Sequence, residues 1–248
     1  MESAEGGLRI NKFLARCGAG SRRQVERLVL DGRVTADGET VRDLSFRVEP
    51  GATVRLDGRR LELPARARVV LFHKPVRVLC SAKDPHGRRT IYDVLPPELS
   101  AFRYVGRLDW ETRGLLLLTD DGDLARALTL PENRVPRLYR VRADREILEE
   151  EARRIADGML LPAEPGYRAH ATKTRPCEIA INGDEAELVL SEGKNREIRR
   201  MFATLGMEVL DLQRLSYGPI RLGDLPEGEW RFASEEEIGA LRGGLSRG

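Results

Sequence analysis

The chain has 248 residues, with 42 lysines and arginines against 40 aspartates and glutamates, a formal net charge of +2, and only 5% aromatic residues. That length allows one large domain, or a larger domain with a small appendage, and the composition is that of a globular chain. No apolar run approaches the roughly 20 residues that span a bilayer, so no membrane partner is expected. The polar, acidic opening Met1–Gly7 is unlike a secretory signal, which makes the cytoplasm the expected location.

In chain order, Leu8, Ile10, Phe13 and Leu14 follow helical spacing, with Arg9, Lys12 and Arg16 on the other face. Gly18 and Gly20 interrupt this helix. Ser21 opens a second one, and Gln24 stands where a capping box needs it. Val25, Leu28 and Val29 supply the second helix's apolar face, and Asp31-Gly32 ends it. Short strands are predicted at Arg33–Ala36 and Thr53–Leu56, with turns at Asp37-Gly38 and Asp57-Gly58. Residues 8–63 thus form one predicted domain, and Leu63-Pro64-Ala65-Arg66-Ala67-Arg68 reads as its linker.

A second domain is predicted from Val69 to about residue 240. It opens with the apolar strand Val69–Phe72. Leu115–Thr119 is a buried strand, and the acidic turn Asp120–Asp123 leads into a helix over Leu124–Leu130. Leu138–Val141 is a strand and Ile147–Ala156 an amphipathic helix. Cys177–Ile181 and Ala186–Leu190 form a hairpin around Asn182-Gly183-Asp184. A helix follows over Arg196–Leu205, then a strand over Val209–Leu215, and Ser234 with Glu237 caps a last helix. This irregular mixture predicts an α+β fold with a mostly antiparallel sheet.

Cys17, Cys80 and Cys177 are far apart, as expected of free thiols in a reducing compartment. His73, His86 and His170 are equally scattered. No segment has metal-ligand spacing, so neither a metal nor a cofactor is expected.

Four stretches are candidates for function. In the first, Arg9, Lys12 and Arg16, with Arg22, Arg23 and Arg27 on the next helix, bring cations together on a small module. Such a patch can be a solvated face, or it can lie against phosphates and release counterions. In the second, Asp109 stands between Arg107 and Arg113 just before four consecutive leucines. Those arginines would favour its carboxylate form, while the bland alternative is an aspartate that caps a turn. The third is the alternating strand Arg137-Leu138-Tyr139-Arg140-Val141, where Tyr139 reads as a core or edge aromatic. In the fourth, Lys194, Arg196, Arg199 and Arg200 crowd the start of a helix. Cations there oppose the helix dipole and need anionic partners, either Glu192 and Glu197 or an external phosphate.

The small domain resembles the S-four RNA-binding domain, through Leu8–Leu14, Gly20-Ser21-Arg22-Arg23 and Gly32-Arg33-Val34. The segment Gly106–Thr119 resembles the catalytic motif of pseudouridine synthases of the small- and large-subunit ribosomal RNA branch. The likeness runs from about Leu8 to Trp230 and includes Pro75 and Gly87-Arg88. It implies that Asp109 is the essential catalytic residue, and that Tyr139 packs on the target base and accepts a proton. It also implies that Arg199 pairs with Asp109. Arg107 and Leu108 would fill the gap left by a flipped nucleotide, and Lys194, Arg196 and Arg200 would touch phosphates. The implied substrate is ribosomal RNA, large-subunit before small-subunit, free or in an assembly intermediate, and the expected state is a monomer. Two departures stand out: Asp120 where asparagine is common, and Arg137 where lysine is usual. Two other classes fit parts of the pattern. A non-catalytic RNA-binding protein would lack one of Asp109, Tyr139 and Arg199, all of which are present. A glycoside hydrolase would use Asp109 with Glu111, but such enzymes want sugar-stacking aromatics, which are scarce here.

Overall fold

The computed structural model describes residues 7–64, 66–163 and 171–245. The opening Met1–Gly6, the linker's Ala65, and His170 lie outside the described residues.

The small domain packs helices α1 (Ile10–Arg16) and α2 (Arg22–Leu30) on a four-stranded antiparallel sheet. Its strands are β1 (Val34–Ala36), β2 (Glu39–Val41), β3 (Val54–Leu56) and β4 (Arg59–Leu61), in the order β2-β1-β3-β4. The predicted first helix is shorter than its spacing implied. Leu8 and Arg9 are extended and pair with Val48 and Arg47, so the helix begins at Ile10. At the start of α2 the Ser21 amide donates to Gln24 Oε1 at 2.8 Å. Both hairpins turn on Asp-Gly, with φ of 49° and 93° at Asp37-Gly38 and 50° and 80° at Asp57-Gly58. Two successive positive φ values define the tight turn whose twist matches that of paired strands. Ile10, Phe13, Leu14, Val25, Val29, Val34 and Val54 close the core of this domain.

The larger domain is built on an eight-stranded sheet. Its strands are β5 (Val69–Lys74), β6 (Arg103–Val105), β7 (Arg113–Thr119), β8 (Arg137–Ala143), β9 (Glu178–Asn182), β10 (Glu185–Leu190), β11 (Val209–Arg214) and β12 (Trp230–Phe232). The order is β9-β10-β8-β11-β7-β5-β12, with β6 added beside β7. All of these pairings are antiparallel except that of β11 with β7. Helices α3 (Gly122–Thr129), α4 (Glu149–Ala156), α5 (Glu197–Thr204) and α6 (Glu235–Leu245) pack on its faces. The element boundaries differ from the sequence expectation by one or two residues, which is ordinary for helix and strand ends. No described helix is long and apolar enough to cross a membrane.

The leucine run of β7 shows why the strand is central. Leu115 and Leu117 face Val69, Leu71, Leu128 and Tyr217, while Leu116 and Leu118 face Phe72, Ile91, Leu99 and Phe102. Side chains alternate across a strand, so an unbroken apolar run requires cover on both faces.

One edge of β7 is taken by β5 over its whole length. The other edge is shared. β11 pairs at Arg113 and Gly114, and β6 pairs at Leu117 to Thr119. Between them Leu115 and Leu116 have no strand partner on this edge. The freed carbonyl of Leu115 accepts a hydrogen bond from Arg214 Nε at 2.7 Å. Gly114 makes the close approach possible. Its φ is +111°, and an added Cβ would lie 2.4 Å from the Arg214 carbonyl oxygen. Gly114→Ala is therefore expected to lower stability by about 3 kcal/mol through backbone strain and separation of the two strands. A denaturant midpoint close to that of the parent protein would contradict this account.

Candidate active site

The segment from Gly106 to Thr112 is pinned along its length. The Leu108 amide lies 3.4 Å from Cys80 Sγ, and the Asp109 carbonyl accepts from the Thr112 amide at 3.1 Å. The Trp110 carbonyl accepts from the Arg77 amide at 2.7 Å. Beneath them Lys74, fully buried at the end of β5, donates from Nζ to the carbonyls of Thr112 at 2.8 Å and Pro75 at 2.7 Å. Burial pulls the Lys74 pKa down to about 8. The neighbouring Arg214 charge works in the same direction, and Cys80, Asp109 and Glu227 oppose it.

Among the described residues, the Asp109 carboxylate accepts none of the turn's hydrogen bonds and makes no ion pair. It is half-buried on the wall of a cavity of about 320 Å³. The turn is closed by main-chain groups, so this aspartate is not its cap. Arg107, Leu108, Thr112, Arg137, Tyr139 and Arg214 line the same cavity, with the loop Ser191–Arg196 opposite. Neither of the two arginines flanking Asp109 in sequence forms an ion pair with it. Arg113 instead forms a two-pronged ion pair with Asp211, at 3.0 and 2.7 Å, and Arg107 is exposed. Leu108 is largely buried against the core as well as lining the cavity.

Tyr139 lies at the centre of β8, directly opposite Arg214 of β11. Arg137, two residues earlier, is buried and donates from Nη2 to the Tyr217 hydroxyl at 3.0 Å. Its guanidinium carbon lies 4.8 Å from the centre of the Tyr217 ring, and that of Arg214 lies 5.1 Å from it. A planar, delocalised cation can stack in this way while still donating hydrogen bonds.

Arg199 does not line the cavity. Its Nη1 donates to the Val209 carbonyl at 2.9 Å and its Nη2 to the Glu111 carbonyl at 3.0 Å, so it ties α5 and β11 to the backbone two residues beyond Asp109. Burial pulls its pKa below the ordinary arginine value, and the charges of Glu111, Asp109 and Asp211 oppose that shift. The other cations of this segment are divided. Lys194 Nζ is bound to Glu192, and Arg196 lies 3.9 Å from Glu111. Arg200, read in the sequence as a phosphate contact, is instead buried. Its Nη2 donates to the Pro162 carbonyl at 2.6 Å, which turns it away from solvent.

On the small domain Arg9, Lys12, Arg16 and Arg22 line a groove together with Arg47. Arg47 stands directly opposite Arg9 in the strand pair. Like charges facing each other across strands repel, and an anion between them relieves the repulsion. Arg23 and Arg27 are exposed on α2. Lys12 is occupied: its Nζ lies 2.5 Å from Asp123 in the first turn of α3.

Lys74, Arg214 and Arg47 were missed in the sequence. A lone cation within an apolar strand was the available signal for the first two. Among the described residues no group of His, Cys, Asp and Glu is arranged to hold a metal ion.

An acid displayed on the cavity wall of a mostly antiparallel fold, behind a basic N-terminal module, matches known proteins over most of the chain. Residues 68–204 match the RNA pseudouridylate synthase family and residues 8–63 match the S-four domain. The chain belongs to that synthase family. Within it, the chain is 39% identical over 248 residues to ribosomal large subunit pseudouridine synthase B of Escherichia coli (strain K12), covering 94% of this chain and 82% of that protein. It is 34% identical over 236 residues to an uncharacterized RNA pseudouridine synthase of Aquifex aeolicus (strain VF5), covering 94% and 93%. A solved crystal structure of a pseudouridylate synthase superimposes with a TM-score of 0.66 at 30% identity, covering 95% of this chain and all of that one.

The cavity wall also contains an unusual acid. Glu197 is buried and its pKa is raised to about 7, first by burial and then by Glu192 beside it, against an ordinary value of 4.5. The folded protein thus holds this proton more tightly than the unfolded chain does. The resulting stabilisation is complete below pH of about 4.5 and is lost as pH rises to about 7. Denaturant midpoints at pH of about 5 and 7.5 are expected to fall in the parent and to fall less in Glu197→Gln. Equal declines in the two proteins would refute the assignment.

Proposed function

We propose that this protein converts a specific uridine of large-subunit ribosomal RNA to pseudouridine, with residues 8–63 holding RNA and residues 69–240 carrying out the chemistry. The observation that carries the proposal is the free Asp109 carboxylate on the cavity wall, displayed by a turn whose own hydrogen bonds are met by the main chain and Lys74. The names of the relatives from Escherichia coli and Salmonella typhi support the choice of subunit.

A uridine within folded RNA must leave its stack to reach such a cavity. Arg107 and Leu108, at the rim beside Asp109, help to fill the space it vacates, and Arg9, Arg16, Arg22, Arg23 and Arg27 bind backbone phosphates away from the cavity. Asp109 acts on the sugar, either as a nucleophile at the anomeric carbon or as a base on the ribose. The bond between ribose C1′ and uracil N1 breaks, the ring turns, and C5 joins C1′. Tyr139 stacks on the ring and accepts the proton lost from C5, and N1, which keeps the electron pair of the broken bond, takes up a proton in exchange. Arg199 positions Asp109 through the Glu111 carbonyl, and no external energy or redox partner enters the balance.

Asp109→Asn keeps the shape of the side chain and removes its charge. It is expected to abolish pseudouridine formation in a large-subunit RNA fragment while leaving RNA affinity within about threefold of the parent. Pseudouridine formed at the parent rate by this variant would overturn the proposal, as would a parent protein active only on small-subunit RNA.

A further inference from the structure

The cavity holds a cation that the roles above leave unused. Arg214 is 1% exposed, one of the most deeply buried side chains in the protein, and it lines the cavity with Asp109. Its Nε is satisfied by the Leu115 carbonyl, but its Nη2 is buried with no hydrogen-bond partner. An unpaired buried donor is costly, and guanidinium groups are rarely left so. A charge retained under these conditions points to a partner that arrives with a ligand.

We propose that Arg214 is a further residue of the substrate site. Its Nη2 donates to a carbonyl oxygen of the flipped uracil and holds the negative charge that the ring carries while detached from the ribose. This inference rests on the synthase activity proposed above. Three observations specify the uracil as the partner. Arg214 stands directly opposite Tyr139 in the strand pair, and directly opposite residues share a face of the sheet. A ring stacked on Tyr139 therefore presents an edge toward Arg214. Arg199 has both Nη groups on main-chain carbonyls, and although its Nε is also buried without a partner it lies outside the cavity wall. Lys74 is likewise engaged with two carbonyls. Arg214 thus combines a buried, unpartnered donor with a place on the cavity wall opposite Tyr139.

The chemistry calls for such a donor. When the C1′–N1 bond breaks, its electron pair stays on the uracil ring and is shared with the ring's carbonyl oxygens. It returns to bonding when C5 attacks C1′ and the C5 proton departs. A fixed, desolvated donor aimed where charge develops stabilises that state more than the bound substrate.

The test has two arms, each run on a large-subunit RNA fragment under single-turnover conditions. In the first, the unaltered protein is given RNA with 2-thiouridine or 4-thiouridine at the target position, because sulfur accepts hydrogen bonds weakly. One of the two is expected to react about tenfold more slowly than uridine. In the second, Arg214→Lys keeps the charge and loses the forked geometry. Its rate of glycosidic cleavage is expected to fall about 100-fold with RNA affinity within about threefold. With 5-fluorouridine, whose ring carries negative charge more readily, the deficit is expected to shrink to about tenfold. Equal deficits on uridine and 5-fluorouridine would mean that Arg214 acts only through the position of Asp109, and this would overturn the proposal. Unchanged rates with both thio substrates would overturn it without any variant having to fold. A parent protein that forms no pseudouridine on the unmodified fragment would sink the underlying activity, and this inference with it.

Discussion

The approach of β7 and β11 at Gly114 is the contact on which the catalytic cavity depends. Only a residue without a Cβ lets the two backbones meet there, because that atom would fall 2.4 Å from the Arg214 carbonyl oxygen. Their pairing is short, two residues in parallel register, and β6 takes over the same edge from Leu117 onward. The sheet is thereby forced open between the two neighbours. The side chain of Arg214 fills the missing rung by donating to the Leu115 carbonyl, and the same side chain lines the cavity with Asp109.

That geometry also sets the electrostatics. Cations normally avoid a protein interior unless they are paired. Here Arg137 and Arg214 line the cavity and Lys74 is buried beneath the Asp109 turn, and their hydrogen bonds go to carbonyl oxygens and a tyrosine hydroxyl rather than to carboxylates. Carbonyl dipoles fix the direction of a cation without cancelling its charge. Two buried arginines thus share the cavity wall with Asp109, whose side chain forms no ion pair among the described residues. On the opposite wall Glu192 and Glu197 crowd together around Lys194, and burial raises the pKa of Glu197 to about 7.

Much of this architecture was legible in the order of residues, because it rests on short-range rules. The leucine run of β7, the two Asp-Gly hairpins, and the caps at Ser21 and Ser234 are local signals, and the structure places each where its pattern predicted. The surroundings of Asp109 were legible only by likeness. Arg113 is four residues from it in sequence but pairs with Asp211, 98 positions away. Arg200 follows Arg199 directly, yet one reaches the Pro162 carbonyl and the other the Glu111 carbonyl. Such choices are made by tertiary packing, which no window of neighbouring residues contains. The same holds for the end of the first predicted helix, where pairing of Leu8 with Val48 overrides a helical apolar spacing.

The ion pair between Lys12 and Asp123 has a consequence of its own. Binding of nucleic acid by an exposed arginine expels a condensed ion from the nucleic acid, and each such contact steepens the dependence of affinity on salt. Lys12 already has a fixed carboxylate as its neighbour, supplied by the first turn of α3. A cation already neutralised by a carboxylate of its own chain has less to gain from a phosphate, so Lys12 would add less to that salt dependence than the exposed Arg23 and Arg27.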